Sequence, residues 1–386
     1  MLPRIAMVST YPPTQCGIAT FARSLTDAIV SSGGDVGVLS LGDADGVRHV
    51  HRGQRDLVAT SQVMSEYDVI VVQHEFGIYD GPDGEEVLAI VAEARPPVIT
   101  VMHTVPAAPS ARQRRILQTL LDVSDAVVVL SHAADRAVRR DYAVRPGLVR
   151  VIPHGAPDLG RLRARALDAS DGHPRLLTWG LLSRGKGVEW GIRALALLAD
   201  LDPAPEYVIA GCTHPKVRAH EGEQYRDGLH ELAESLGVMD RIRFVDDYMT
   251  TERLAELIAS SSAYLLPYES REQITSGVLV EAMVAGGPVI ATRFPHAIEL
   301  LSNGTGYLVD HDDPVAIAEA FRSIIEHPLE AERKRSLAAA LSQGFLWPNV
   351  GEAYLQLAGE LWRGRARTSR LSDVLYAEPA GLLRAI

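Results

Sequence analysis

The stretch Pro267–Gly287, PYESREQITSGVLVEAMVAGG, gathers groups suited to holding an anion and a sugar. Thr275 and Ser276 are N-cap residue types, Leu279, Ala282 and Met283 supply the apolar stripe of a helix, and Gly286 ends it. Unpaired N–H groups at Gly277, Val278 and Leu279, with the helix dipole behind them, form a seat for a diphosphate. Gly277 lets a ligand approach the backbone closely. Glu281, one turn further along, stands where it can accept hydrogen bonds from ribose hydroxyls. A basic turn, GLLSRGKGVEW from Gly180, adds Arg184 and Lys186, a bidentate fork and a point charge for phosphate. It lacks Walker spacing, and a basic turn taken alone is more often solvated than functional.

The first half offers a different set. Gly17, in the run STYPPTQCGIAT, allows close backbone approach before a helix expected from about Thr20. His74 and Glu75 in VVQHEFGIYDG and His103 in VITVMHTV each follow an apolar run. A lone histidine is more often structural, but two at one edge of a sheet point to chemistry. Glu75, Tyr79 and Asp80 are expected to shape an acceptor site together with His74. His154, in VIPHGAPD, falls on the connection toward the second half and reads as positional.

These residues need strands to carry them. Short β-branched runs alternate with helix-like stretches, the pattern of a parallel sheet with crossover helices. In the first half the runs are Arg4–Ser9, Val36–Leu41, Val69–Gln73, Val98–Met102, Ala126–Leu130 and Val149–Pro153. The pattern restarts with Leu176–Trp179, Tyr207–Ala210, Ile242–Val245, Ala263–Leu266, Val289–Thr292 and Tyr307–Val309. Two α/β domains are therefore expected, residues 1–157 and 175–345, joined by a linker over 158–174. Helical segments alone follow Asp313. Trp347–Arg363 is amphipathic, fit to close the second domain or return to the first, and the tail from Gly364 to Ile386 shows no period. Because ligands bind beyond the carboxyl ends of parallel strands, all the candidate residues fall where chemistry is expected.

Composition narrows the classes. A chain of 386 residues is too long for one ordinary core, and 47% hydrophobic residues are enough to bury two. A net charge of −11 argues against a nucleic-acid partner. No apolar run is long enough to span a membrane, and the N-terminus reads as a strand rather than a secretory signal, so a cytoplasmic protein is expected. Peripheral membrane contact through Arg112, Arg114 and Arg115, or Arg136, Arg139 and Arg140, is weighed against the commoner solvated helix face. Cys16 and Cys212 lie far apart with no zinc-type spacing, and no Asp-x-Asp pair follows a strand, so neither metal nor other cofactor is expected. Asp246 and Asp247 are adjacent and would point apart within a strand.

The Pro267–Gly287 segment resembles the donor-binding segment of family 4 (group 1) retaining glycosyltransferases of GT-B fold. That family shows a Glu, seven residues and a second Glu before a Gly-Pro-Val-hydrophobic strand; here Glu281 precedes Gly286-Gly287-Pro288-Val289-Ile290. The first position departs, since Gln273 stands eight residues before Glu281, with Glu269 and Glu272 nearby. The Glu-Gln-hydrophobic-x-Ser-Gly run resembles a mannosyltransferase-like subgroup. Lys186-Gly187 fits the family's Lys-Gly pair, whereas Arg184 does not fall where the family arginine stands. The resemblance implies two Rossmann-like domains facing across a cleft. It implies donor binding by Gly17, Lys186, Ser276, Gly277, Val278, Leu279 and Glu281, to which the basic turn itself adds Arg184. It implies catalysis by His103, Lys186 and Gln273, with a hexosyl group, mannose from GDP-mannose foremost, passing to a glycan, lipid-linked or small-molecule hydroxyl. An epimerase on the same fold and a non-catalytic nucleotide-sugar binder are the alternatives; no G-x-G-x-x-G follows a strand, which disfavours a dinucleotide oxidoreductase.

Overall fold

The computed structural model describes residues 2–42, 48–49, 57–161 and 172–375. Most of the expected linker, and the tail beyond residue 375, lie outside the described residues. In the first sheet the strands are β1 (Arg4–Ser9), β2 (Asp35–Ser40), β3 (Arg48–His49), β4 (Val69–His74), β5 (Val98–Met102), β6 (Ala126–Val129) and β7 (Val149–Val151). The second sheet holds β8 (Arg175–Trp179), β9 (Glu206–Ala210), β10 (Ile242–Val245), β11 (Ala263–Leu266), β12 (Val289–Thr292) and β13 (Tyr307–Val309). All the observed pairings are parallel, in the orders β3-β2-β1-β4-β5-β6-β7 and β10-β9-β8-β11-β12-β13. This is the doubly wound order, and it puts a switch point between β1 and β4 in one sheet and between β8 and β11 in the other.

Near-continuous apolar strands are what a sheet covered on both faces requires. Ala6 and Val8 of β1 pack on one side with Ile70 and Val72, while Ile5 and Met7 pack on the other with Phe21 and Leu25. Leu177 and Leu176 divide in the same way between the two faces of the second sheet. β3 was not expected, because two residues carry no period.

The amphipathic helix after Trp347 returns to the first domain. Val350, Tyr354, Leu357 and Ala358 join the core around Phe21, Leu25 and Ile29. Gly351 lies so close to the Gly17–Ser31 helix that an added Cβ would stand 2.7 Å from the Ala28 backbone. The helix runs unbroken to Leu375, so the stretch from Gly364, which shows no period, is helical over its described part. No helix among the described residues is long and apolar enough to cross a membrane.

Candidate active site

Two segments meet at the switch point of the second sheet, the turn after β8 and the stretch after β11. The Glu269 N–H donates to the Gly185 carbonyl at 3.0 Å. Gly187 has φ +64°, and a Cβ there would sit 1.9 Å from the Pro267 carbonyl oxygen, so both conformation and space demand glycine. Lys186 Nζ lies over the Tyr268 ring, 4.3 Å from its centroid. Tyr268 is only 2% exposed and stacks on Phe294 with centroids 5.2 Å apart, so the ammonium rests on a rigid aromatic platform. Arg184 is paired with Glu221 in this structure: its Nε is 3.0 Å from the carboxylate in an exposed ion pair.

The helix Gly277–Val284 begins where expected, with Ser276 rather than Thr275 as its cap. Ser276 Oγ accepts from the Leu279 N–H at 3.2 Å, so Leu279 is not one of the unpaired donors. Gly277 and Val278 keep N–H groups with no acceptor among the described residues. A Cβ on Gly277 would approach His154 Nε2 to 2.7 Å, so this glycine makes room for an imidazole from the end of the first domain. Glu281 accepts from Trp179 Nε1 at 2.9 Å, and its remaining oxygen is left for another donor. Burial pushes the Glu281 carboxyl up, and the Trp179 hydrogen bond opposes the rise. Gln273 turns its amide onto the Thr275 carbonyl at 3.0 Å. Glu269, one of the two carboxylates near Gln273, is spent on Trp190 Nε1 at 3.1 Å.

On the first sheet, His103 is half-buried, and its Nε2 lies 2.7 Å from Gln73 Oε1. An amide oxygen only accepts, so Nε2 carries the proton and Nδ1 is left as an acceptor. Burial pushes His103 down to about 3, and it is neutral at pH 7. His74 and Tyr79 depart from the expected acceptor site. His74 is 0% exposed with both ring nitrogens unpartnered, and Tyr79 is buried and donates its hydroxyl to the Gln73 carbonyl at 2.6 Å. Both therefore pack and brace the loop after β4. Glu75 accepts from Thr104 Oγ1 at 2.5 Å and from the Phe76 N–H at 3.0 Å, which stiffens the same loop. Gly17 begins its helix three residues earlier than expected and faces open space. The cap is Cys16, whose Sγ accepts from the Ala19 N–H at 3.3 Å.

The domains touch at several points around these residues. Thr20 Oγ1 is 2.8 Å from the Tyr248 hydroxyl, and Lys216 Nζ donates to the Gly77 carbonyl at 3.1 Å. Ser131 Oγ donates to the Ile274 carbonyl at 2.6 Å, and Glu299 accepts from the N–H groups of His132 and Ala133 at 3.0 and 2.6 Å. Neither His296 nor Glu299 was expected. Both lie on the Pro295–Leu301 helix just beyond β12, so the strand-end rule applied to TRFPHAIEL would have found them.

The two arginine clusters are ion-paired, mostly within the first domain, with Arg136 reaching across to the second. Arg112 and Arg115 approach Glu85, Arg139 pairs with Asp135, Arg140 with Asp141, and Arg136 with Glu299. Arg114 donates to the Asp141 carbonyl. They form solvated ion-paired faces rather than bare basic patches. Asp246 and Asp247 come after β10 ends at Val245, not within it, and Asp246 takes Arg226 at 2.7 Å. Among the described residues no cluster of three or more His, Cys, Asp or Glu side chains is arranged to hold a metal ion.

Residues 163–340 match the model of the family described as glycosyl transferases group 1. The two parallel-sheet halves share the GT-B fold of solved glycosyltransferase structures, and the segment similar to group 1 glycosyl transferases lies in the second half. The chain is 27% identical over 285 residues to D-inositol 3-phosphate glycosyltransferase of Corynebacterium diphtheriae, covering 68% of this chain and 65% of that protein. It is 31% identical over 265 residues to glycogen synthase of Mycobacterium tuberculosis, covering 67% and 60%. The chain thus spans about three fifths of the length of the curated relatives it matches. Among solved structures, a glycosyltransferase from Rickettsia africae superimposes with a TM-score of 0.73 at 15% identity, covering 93% of this chain and 98% of that one. Anabaena Alr3699/HepE in complex with UDP and glucose gives 0.72 at 19% identity, covering 92% and 99%.

Proposed function

We propose that this chain is a cytoplasmic, retaining, metal-independent glycosyltransferase that moves a hexosyl group from a nucleotide-diphosphate sugar to a hydroxyl. The observation that carries the reading is the set of groups on the two joined segments after β8 and β11: the Lys186 ammonium on its Tyr268 platform, the N–H groups of Gly277 and Val278 with no acceptor among the described residues, and the Glu281 carboxylate beside Trp179.

Each group has one task. Glu281 accepts from ribose hydroxyls. Lys186 and the two N–H groups face the negative charge that builds on the terminal phosphate as the bond from the anomeric carbon to the diphosphate breaks. The acceptor hydroxyl forms the new bond on the same face, and its proton passes to the departing phosphate oxygen. His103, neutral with Nδ1 as acceptor, holds a hydroxyl of the sugar rather than supplying a proton. Gln273 offers its amide oxygen in the same role and brings no charge.

A neighbour in complex with UDP and glucose supports a UDP-linked hexose. The subgroup resemblance at Glu272-Gln273 supports GDP-mannose. The relatives' names support acceptors of two kinds, a polyol phosphate and a glycan. Incubation with UDP-glucose and GDP-mannose in turn, with inositol phosphate or an oligosaccharide, is expected to release nucleoside diphosphate only when acceptor is present and to retain the anomeric configuration. Release without acceptor, or inversion, contradicts the reading. The folded-back amide of Gln273 favours a second reading, a non-catalytic nucleotide-sugar binder, and turnover of either donor excludes it.

A further inference from the structure

His296 is 2% exposed, sits in the first turn after β12, and holds the segment before the donor helix at two points. Its backbone N–H donates to the Gln273 carbonyl at 3.3 Å, and its Nδ1 accepts the Ser276 N–H at 2.9 Å. A backbone amide can only donate, so the ring must keep Nδ1 bare and, when neutral, carry its proton on Nε2. Ser276 is thereby fixed at both ends, its amide on His296 and its hydroxyl on the Leu279 N–H. His154 fills the space where a Gly277 side chain would stand. Two imidazoles, one from each domain, therefore adjoin the peptide units whose N–H groups have no acceptor among the described residues.

We propose that His296 is a positioning residue for phosphate: through Nδ1 it fixes the Ser276 peptide and so aims the Gly277 and Val278 N–H groups at the diphosphate of the donor. The inference rests on the reading of this helix start as the donor's phosphate seat. It makes a distinction that a merely space-filling histidine does not. Loss of the Nδ1 acceptor weakens whatever touches the seat, which is phosphate, and spares contacts of the nucleoside.

The test replaces His296 by Asn, whose amide oxygen falls near the position of Nδ1, and by Gln, whose oxygen falls nearer Nε2. Binding of UDP and uridine, and of GDP and guanosine, is measured calorimetrically on the full chain. His296→Asn is expected to keep diphosphate affinity within about 3-fold. His296→Gln is expected to lose about 10-fold, the size of one net hydrogen bond, for the diphosphate that the wild type binds, with the matching nucleoside unchanged. Both variants are polar and close in size, so equal melting temperatures separate positioning from folding. Equal losses for diphosphate and nucleoside, or equal behaviour of the two variants, overturns the proposal while leaving the donor site standing. A wild type that binds neither diphosphate overturns the donor reading itself, and this proposal with it.

Discussion

At the switch point of the first sheet, Tyr79 spends its hydroxyl on a carbonyl and His74 is sealed from solvent. At that of the second, Lys186, Gly277, Val278 and Glu281 are half-buried and keep donor or acceptor capacity to spare. The two sheets share the 3-2-1-4-5-6 strand order, so the difference does not come from topology. It comes from what the strand-end residues are asked to do. A seat for diphosphate needs fixed backbone N–H groups and a fixed cation, and tight glycines at 187 and 277 supply the geometry. The loop after β4 instead uses polar groups such as Tyr79 and Glu75 to hold its own shape, while His103, after β5, keeps an acceptor and partial exposure. On the proposed reading the second half carries the recognition of charge, and the first half supplies shape.

That contrast can be broken by substitution. Lys186→Ala removes the cation proposed to meet the leaving phosphate and is expected to lower kcat/KM by about 10²- to 10³-fold, measured by nucleoside diphosphate release. A loss under about 10-fold would move the charge stabilisation elsewhere. Glu281→Gln is expected to raise the donor KM by about 10- to 100-fold with a smaller change in kcat, the range of one charge-assisted hydrogen bond.

A third prediction concerns acid. Burial holds His74 down to about 4 and His296 to about 3, whereas the unfolded chain protonates them near 6.5. Between those values the unfolded state binds the protons and the native state does not, so stability is present above pH 6.5 and lost as the pH falls below it. Each of the two costs about 1 kcal/mol by pH 5.5. A melting temperature flat from pH 7 to 5 would contradict it.

Smaller effects sharpen the comparison from the other side. Tyr79→Phe is expected to destabilise by about 1 kcal/mol in urea unfolding, with donor KM unchanged, because it deletes a buried hydrogen bond in the first half only. Arg184→Ala should change turnover by less than about 2-fold, since its guanidinium is committed to an exposed ion pair with Glu221.

Much of this was legible from residue types. β1, β5, β10, β11, β12 and β13 have the bounds that their β-branched runs predict, because buried parallel strands leave a continuous apolar trace. The cap at Ser276 and the end at Gly286 follow from local chemistry in the same way. What the sequence hides is where a side chain spends its hydrogen bonds. Arg184 reads as a phosphate fork until Glu221, far along the chain, is seen beside it. Tyr79 reads as an acceptor contact until its hydroxyl is found on Gln73. The strand-end rule marks the position of His296, but not its partner, because Ser276 belongs to another strand's loop. Long-range pairings of this kind leave no local period to read.

The claim that charge recognition belongs to the second half is tested most directly by titrating UDP and GDP into the wild-type chain, Lys186→Ala and His103→Ala. The account predicts that one of the two nucleotides binds the wild type, that Lys186→Ala weakens it at least about 10-fold, and that His103→Ala leaves it within about 2-fold. Equal weakening by the two substitutions, or no binding of either nucleotide, would contradict it.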